Sequence, residues 1–393
     1  MENNLKIRLL IVGLGNMGSA HVKNALRAPN VELVALCDEK KERVDAQIAL
    51  GVTAKPYYDY RTAIKDSGAD AVLIATPHYS HPEIGLEAFS QGLHVLVEKP
   101  VGVHALDARR LVEAWERAKK KKNNLVFAAM FQQRTWGHWK KIKSLIDEGD
   151  LGKLIRATWI ITDWFRTQTY YDSGDWRATW RGEGGGVLLN QCPHNLDLYN
   201  WFVGLPKRVH GFVSLGKYHN IEVEDEVTAY FEHENGMVGH FITTTAEAPG
   251  TNRLEIVGEN GKVVYENGSL TFHRNRQSML RFLRESKESF SAPECWKIDI
   301  PFDTSAEAGH HLVLENFADA ILKGKPLIAP ASDGIPAVML GNAILYSSLT
   351  QKAVELPMDE EAYARKLAEL TAGSRYVKKT GSSNGVADLS KSY

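Results

Sequence analysis

Three clusters in this chain combine residue types and spacings that can do chemistry. The first is Gly13-Leu14-Gly15-Asn16-Met17-Gly18, a GxGxxG turn that follows the apolar run Ile7 to Val12 and opens a helical pattern. In that setting the first glycine permits a tight turn and the second lets a pyrophosphate approach the backbone. The helix start at Asn16 and Met17 offers unpaired N–H groups and a partial positive charge, so the phosphates need no basic side chain. Asp38 closes the next apolar run, twenty positions after Gly18. A carboxylate there can bond both ribose hydroxyls and repel a 2′-phosphate, which favours NAD over NADP. The alternative for Asp38 is a helix N-cap ahead of Glu39 to Gln47.

The second cluster comprises Ala75-Thr76-Pro77-His78-Tyr79-Ser80-His81 and Val97-Glu98-Lys99-Pro100, each at the end of an apolar run. Open parallel sheets bind ligands at the carboxyl ends of their strands, which makes Thr76, Pro77, His81, Glu98 and Lys99 candidate cofactor contacts. Taken alone, Glu98-Lys99 reads equally as a solvated surface pair. The third cluster is Gly184-Gly185-Gly186-Val187-Leu188-Leu189-Asn190-Gln191-Cys192-Pro193-His194-Asn195-Leu196-Asp197. On a helix, Asn190, His194 and Asp197 stand at i, i+4 and i+7 and share a face that can meet one substrate. Equally, His194 and Asp197 at i, i+3 can form an ordinary salt bridge. Gln132, Gln133, Arg134 and Trp136, then Trp164, Tyr170, Tyr171, Trp176, Arg177, Trp180 and Arg181, supply stacking and hydrogen-bonding groups suited to sugar rings; core packing or an oligomer interface accounts for them as well. Arg134, Tyr171 and Trp176 are the substrate-contact candidates among them.

These clusters require a scaffold. Ile7 to Val12, Val31 to Cys37, Ala71 to Ala75 and His94 to Val97 alternate with helical patterns at 18–28, 82–91 and 107–120, and Leu125 to Ala129 ends the series. That is the βαβ rhythm of a doubly wound parallel sheet, a Rossmann domain over residues 1–130. After about residue 150 the texture becomes period-two alternation, at 154–162, 208–215, 227–233, 237–245 and 253–258, with turns such as Glu234-Asn235-Gly236. The second domain, 131–370, is expected to be α+β with a large, mainly antiparallel sheet. Helices near 309–323 and 334–348 follow, the segment 334–358 packing back on the first domain, and residues 371–393 form a polar tail.

Composition fits that division. A chain of 393 residues is about right for two cores, and 47 basic against 48 acidic residues leave a net charge of −1, with no general attraction for nucleic acid or anionic lipid. Three dispersed cysteines exclude a disulfide framework and a CxxC metal site, and suit a reducing cytoplasm. Leu9 to Val12 is too short for a signal-peptide core, and no stretch approaches the roughly 20 apolar residues of a membrane span. A small polar ligand, with no metal, suits this balance.

The order of the glycine motif, the ATPxxxxH stretch, the EKP tripeptide 98–100 and the GGG…HxxD segment resembles the family of glucose-fructose oxidoreductase, inositol dehydrogenase and the rhizopine-catabolism protein. The resemblance runs to about residue 358, through Glu315-Asn316-Phe317, Gly324-Lys325-Pro326 and Val354-Glu355-Leu356-Pro357. It implies that Lys99 reaches both cofactor and substrate, that Lys99–Pro100 is cis, and that Arg134 has a counterpart after the sixth strand. In inositol dehydrogenase-like members an aspartate four residues before the histidine completes a dyad. Asn190 holds that place here, and an amide can orient His194 by hydrogen bonding but cannot raise its pKa with a negative charge. On this basis His194 is the general base toward a reacting hydroxyl, Lys99 polarises the same oxygen or shares the proton transfer, and Asp197 orients a neighbouring hydroxyl.

The implied activity is NAD-dependent hydride transfer at a ring CH–OH of a sugar, glycoside or cyclitol, and the Asn-Gln-Cys-Pro-His-Asn-Leu-Asp segment looks like members acting on the 3-hydroxyl of glucosides. Two alternatives stay open: a glycosidase in which NAD transiently oxidises that hydroxyl before elimination, and an NAD-responsive regulatory protein without turnover. The family's second-domain sheet commonly forms the interface of a homodimer or homotetramer.

Overall fold

The computed structural model describes residues 5–374 and 376, apart from 123, 175 and 305–307. Six strands, β1 (Ile7–Val12), β2 (Val31–Cys37), β3 (Lys55–Tyr57), β4 (Ala71–Ile74), β5 (His94–Val97) and β6 (Phe127–Ala129), form a parallel sheet in the order β3-β2-β1-β4-β5-β6. The winding reverses between β1 and β4, so the loops leaving these two strands diverge and open a crevice at their carboxyl ends. β4 and β5 are buried throughout, as central parallel strands covered on both faces must be. β1 divides its side chains between two cores, Leu10 and Val12 toward one and Ile7, Leu9 and Ile11 toward the other. Val22 and Ala25 of α1 (Asn16–Arg27) and Val44 of α2 (Lys41–Ala49) cover the second face; α3 (Tyr60–Asp66), α4 (Ser80–Ser90) and α5 (Ala105–Lys119) cover the first. α1 starts at Asn16 rather than Gly18, which puts Asn16 and Met17 in its first turn.

The second sheet has nine strands: β7 (Leu154–Ile161), β8 (Arg208–Leu215), β9 (Glu224–Glu232), β10 (Val238–Thr244), β11 (Asn252–Gly258), β12 (Gly261–Glu266), β13 (Ser269–Asn275), β14 (Cys295–Asp299) and β15 (Val354–Glu355). Its neighbours pair antiparallel except β7 with β10, which run parallel. Along β7, Ala157, Trp159 and Ile161 face inward while Arg156, Thr158 and Ile160 face out. The inner face is covered by α6 (Gly137–Asp147) and α8 (Pro193–Val203), whose Trp139 and Phe202 rings pack with Trp159 at centroid distances of 5.2 and 6.4 Å. Two short helices, α7 (Gln168–Asp172) and α9 (Met279–Glu285), lie in the connections.

The chain then returns to the first sheet. Val313, Leu314, Phe317 and Ala318 of α10 (His310–Lys323) pack in the core built on Ile7, Leu9 and Ile11, so this helix covers the Rossmann sheet although its sequence position follows the second one. α11 (Gly334–Thr350) is buried along most of its length between the two units. Its Asn342 accepts from the N–H of Ala105, the first residue of α5, at 2.9 Å, and its Ser347 Oγ accepts from Gly211 N of β8 at 2.9 Å. α12 (Glu360–Gly373) was not expected: Asp359 caps it through Ala362 N at 2.9 Å, and Tyr363 and Leu367 are buried. The helix thus includes 371–373, the first residues of the expected polar tail, and 375 and 377–393 lie outside the described residues. Among the described residues no helix is long and apolar enough to cross a membrane.

Candidate active site

The glycine turn shows why each glycine is there. Gly13 adopts φ +91°, and a Cβ on it would sit 2.6 Å from the Ala75 carbonyl. A Cβ on Gly18 would lie 1.8 Å from Gly13 O, so packing alone requires both glycines. A Cβ on Gly15 would meet nothing within 4 Å. The middle glycine therefore faces open space in front of α1, whose first N–H groups have no side-chain cap. Beside it, the Thr76 hydroxyl is buried without a partner. Asp38 stands at the end of β2, where its carboxylate accepts from Leu14 N at 2.7 Å, Lys40 N at 2.9 Å and Arg43 Nη1 at 3.3 Å. The N-cap of α2 is Lys40, not Asp38. Open backbone at Gly15, bare N–H groups of Asn16 and Met17, an orphaned Thr76 hydroxyl and a terminal carboxylate together fit a dinucleotide: pyrophosphate at the turn, ribose at Asp38.

Lys99 emerges from β5 across a cis Lys99–Pro100 bond, in the isomer the resemblance implies. Its Nζ donates to the Asn190 carbonyl at 2.8 Å, which joins the first domain to the GGG…HxxD segment. Pro100 lines one small apolar cavity with Phe131, Leu189 and Pro193, so the two loops also meet through packing. Burial lowers the Lys99 pKa, against the pull of Glu98 and Glu183, and Arg177 lowers it further. His194, in the first turn of α8, is buried; desolvation, aided by the Lys99 charge, holds its pKa well below the ordinary range. It is therefore a neutral imidazole. Gln132 Nε2 donates to His194 Nε2 at 3.1 Å, which places the ring hydrogen on Nδ1, and both Nδ1 and Gln132 Oε1 are buried without partners.

The family's NAD-binding Rossmann domain matches residues 7–126, and its C-terminal domain matches residues 139–264. The chain belongs to the GFO/IDH/MocA oxidoreductase family. Myo-inositol 2-dehydrogenase of Thermotoga maritima is 23% identical over 363 residues, covering 89% of this chain and 98% of that one. Levoglucosan dehydrogenase of Pseudarthrobacter phenanthrenivorans is 24% identical over 76% of this chain and 83% of its own. Among solved structures, the WlbA dehydrogenase from Bordetella pertussis in complex with NADH and UDP-GlcNAcA superposes with a TM-score of 0.75 at 26% identity, over 90% of this chain and all of that one. The chain is thus an NAD-dependent oxidoreductase, with a Rossmann domain and a mainly antiparallel second sheet.

Several expected site residues are placed otherwise than spacing suggests. Asn190 does not share the helix of His194: Pro193, which lacks an N–H, occupies the first turn and starts α8 three residues after it. Nor does the Asn190 side chain orient His194. Its Nδ2 donates to Glu183 and its Oδ1 accepts from the Tyr170 hydroxyl at 3.4 Å, while Gln132 takes the orienting place. Asp197 and Arg134 are buried and hold each other, Nε and Nη2 donating to the two carboxylate oxygens at 2.8 and 2.6 Å, with Asp333 on Nη1 at 2.7 Å. That pairing ties α8 to the turn after β6 and to the start of α11, and it occupies the groups expected to bind substrate.

Tyr171 is likewise buried, its hydroxyl donating to Thr245 Oγ1 at 2.8 Å. Trp176 remains half-buried, its ring 5.5 Å from that of His78. His81 cannot reach a cofactor with either nitrogen, since Nδ1 meets Pro100 O and Nε2 meets Thr76 O, both at 2.8 Å; it clamps the two cofactor-side loops together. Pro77 is an exposed turn residue. Glu98 is bonded to His21 Nε2 at 2.7 Å and to Lys99 N at 3.1 Å. Burial alone would raise its pKa, but His21 outweighs that and holds the carboxyl at about 2. His21, Glu183 and the His194 partner role of Gln132 escaped the sequence, because none lies in a spaced motif with the group it bonds.

Proposed function

We propose that this chain transfers a hydride between a ring carbinol carbon of a sugar, glycoside or cyclitol and nicotinamide, with His194 as general base and Lys99 as the polarising cation. The observation that carries this is the 2.8 Å bond from Lys99 Nζ to the Asn190 carbonyl, which sets an ammonium from one domain beside a neutral, buried histidine of the other. NAD supplies the hydride acceptor. A substrate hydroxyl that replaces the Gln132 amide at His194 Nε2 can pass its proton to the ring, while the two remaining Lys99 donors stabilise the oxygen as it gains charge. Low dielectric around both groups strengthens that interaction. The relatives named for inositol and levoglucosan oxidation support the substrate class, and the 3-hydroxyl of a glucoside is the specific position we assign.

Replacing His194 with Ala is expected to lower kcat by about 10²–10⁴, as loss of a general base does, while NAD still binds in a fluorescence titration. Lys99→Ala should lose activity on a similar scale. Full turnover in both variants sinks the roles given to His194 and Lys99, whereas NAD binding with no turnover of any ring polyol by wild type favours an NAD-responsive regulator. We also propose that copies associate through the outer sheet face, where Thr158, Ile160, His240 and Ile242 lie in register and Phe212 is 68% exposed. A purely monomeric mass in light scattering contradicts this.

A further inference from the structure

Arg177 makes no ion pair among the described residues, although it lies close to Lys99. Among the described residues its one hydrogen bond runs from Nη1 to the Tyr170 hydroxyl at 2.8 Å. The guanidinium lies over the Tyr170 ring at 4.6 Å and the Trp176 ring at 4.7 Å. Nε and Nη2 make no hydrogen bond among the described residues, and together they form the fork that matches a carboxylate. The Tyr170 hydroxyl reaches Asn190 Oδ1 at 3.4 Å, and the Asn190 carbonyl holds Lys99 Nζ, so one tyrosine and one asparagine connect the guanidinium to the catalytic ammonium. Its charge is among those that act on Lys99. Gln191, which donates to the same Tyr170 hydroxyl at 3.2 Å, keeps its Oε1 buried without a partner.

Given the dehydrogenase reading above, on which this rests, we infer that Arg177 binds a carboxylate on the substrate and makes the enzyme selective for acidic sugars, such as hexuronic acids and their glycosides, over the neutral counterparts. A half-buried guanidinium with no ion pair among the described residues has donors left for an anion, and a sugar hydroxyl does not neutralise it. A carboxylate suits the place better than a phosphate. Glu183, bonded to Ala178 N at 2.5 Å next to Arg177, adds a negative charge that a phosphate of about −1.5 to −2 would feel more strongly. The carboxylate takes no part in the chemistry: the carbinol carbon gives its hydride to NAD and its hydroxyl proton to His194.

The test compares glucuronate and methyl glucuronide with glucose, methyl glucoside, myo-inositol and glucose 6-phosphate, following NADH, and titrates glucuronate calorimetrically into the NADH-saturated protein. Wild type should favour each acid over its neutral partner by about 10- to 100-fold in kcat/KM, the size of a charged hydrogen-bonded contact. Arg177→Gln should collapse that ratio toward one, chiefly through KM for the acids, and Arg177→Lys should keep part of it. Equal use of acids and neutral sugars by wild type, preference for the phosphate, or a loss in Arg177→Gln that is the same for both classes overturns the inference. Oxidation of neutral polyols alone would do so while leaving the dehydrogenase reading intact. If no compound yields NADH, that reading falls, and glucuronate binding that Arg177→Gln abolishes still decides whether the carboxylate site exists.

Discussion

At the scale of single residues, the proposed role of His194 as general base makes its protonation the property to test. A base works only in its deprotonated form, so a pKa held below 6.5 by burial moves the acid limb of the pH profile downward. We expect kcat/KM for polyol oxidation to stay level as pH falls through 6.5, with the drop at lower pH. An acid limb at or above the ordinary histidine value contradicts the burial argument. The ion pair of Arg134 and Asp197 makes a second prediction. Burial pushes the Asp197 carboxyl up to about 6 even beside Arg134. Removing the arginine would strand a buried carboxylate, so Arg134→Met should cost about 3–5 kcal/mol in urea unfolding at pH 8. Because protonation relieves an unpaired carboxylate, that loss should shrink as pH falls toward 5, and Asp197→Asn should be the milder change. Equal losses at both pH values contradict it. Residue types make Lys99 and His194 candidates in the sequence but do not disclose this pair: Arg134 and Asp197 lie 63 positions apart, and nothing in a sequence tells a buried polar pair from two ligand-facing ones.

At the scale of elements, the β1 turn separates packing from binding. Gly18→Ala puts a methyl 1.8 Å from backbone and should lower the thermal midpoint with or without NAD. Gly15→Ala meets no protein atom, and its φ of −69° suits alanine, so stability should stay within about 0.5 kcal/mol of wild type. NAD affinity should nevertheless fall by roughly tenfold or more, about 1.4 kcal/mol. Unchanged NAD affinity in Gly15→Ala would remove the pyrophosphate from this turn. Strands β1, β2, β4 and β5 were readable because buried parallel strands are continuous apolar runs. β3 was not, being three residues long with Pro56 at a sheet edge. Helical spacing carried through Pro193 puts Asn190 on α8, but a proline without an N–H marks the beginning of that helix.

For the whole molecule, the chain is wound so that the candidate site lies where two units meet. α10 covers the first sheet and α11 wedges between both, leaving the EKP loop and the His194 turn facing each other. Period-two and βαβ patterns disclosed both sheets, but the return of α10 could not be read, since an amphipathic helix does not name the surface it covers. The most direct measurement is incubation with NAD and a panel of inositols, free sugars, glucosides, uronates and nitrophenyl glycosides, recording NADH absorbance together with product mass. The account predicts that at least one ring polyol yields NADH and a product two hydrogens lighter, in equal amounts. Release of nitrophenol without net NADH, or no product from any member of the panel, would contradict it.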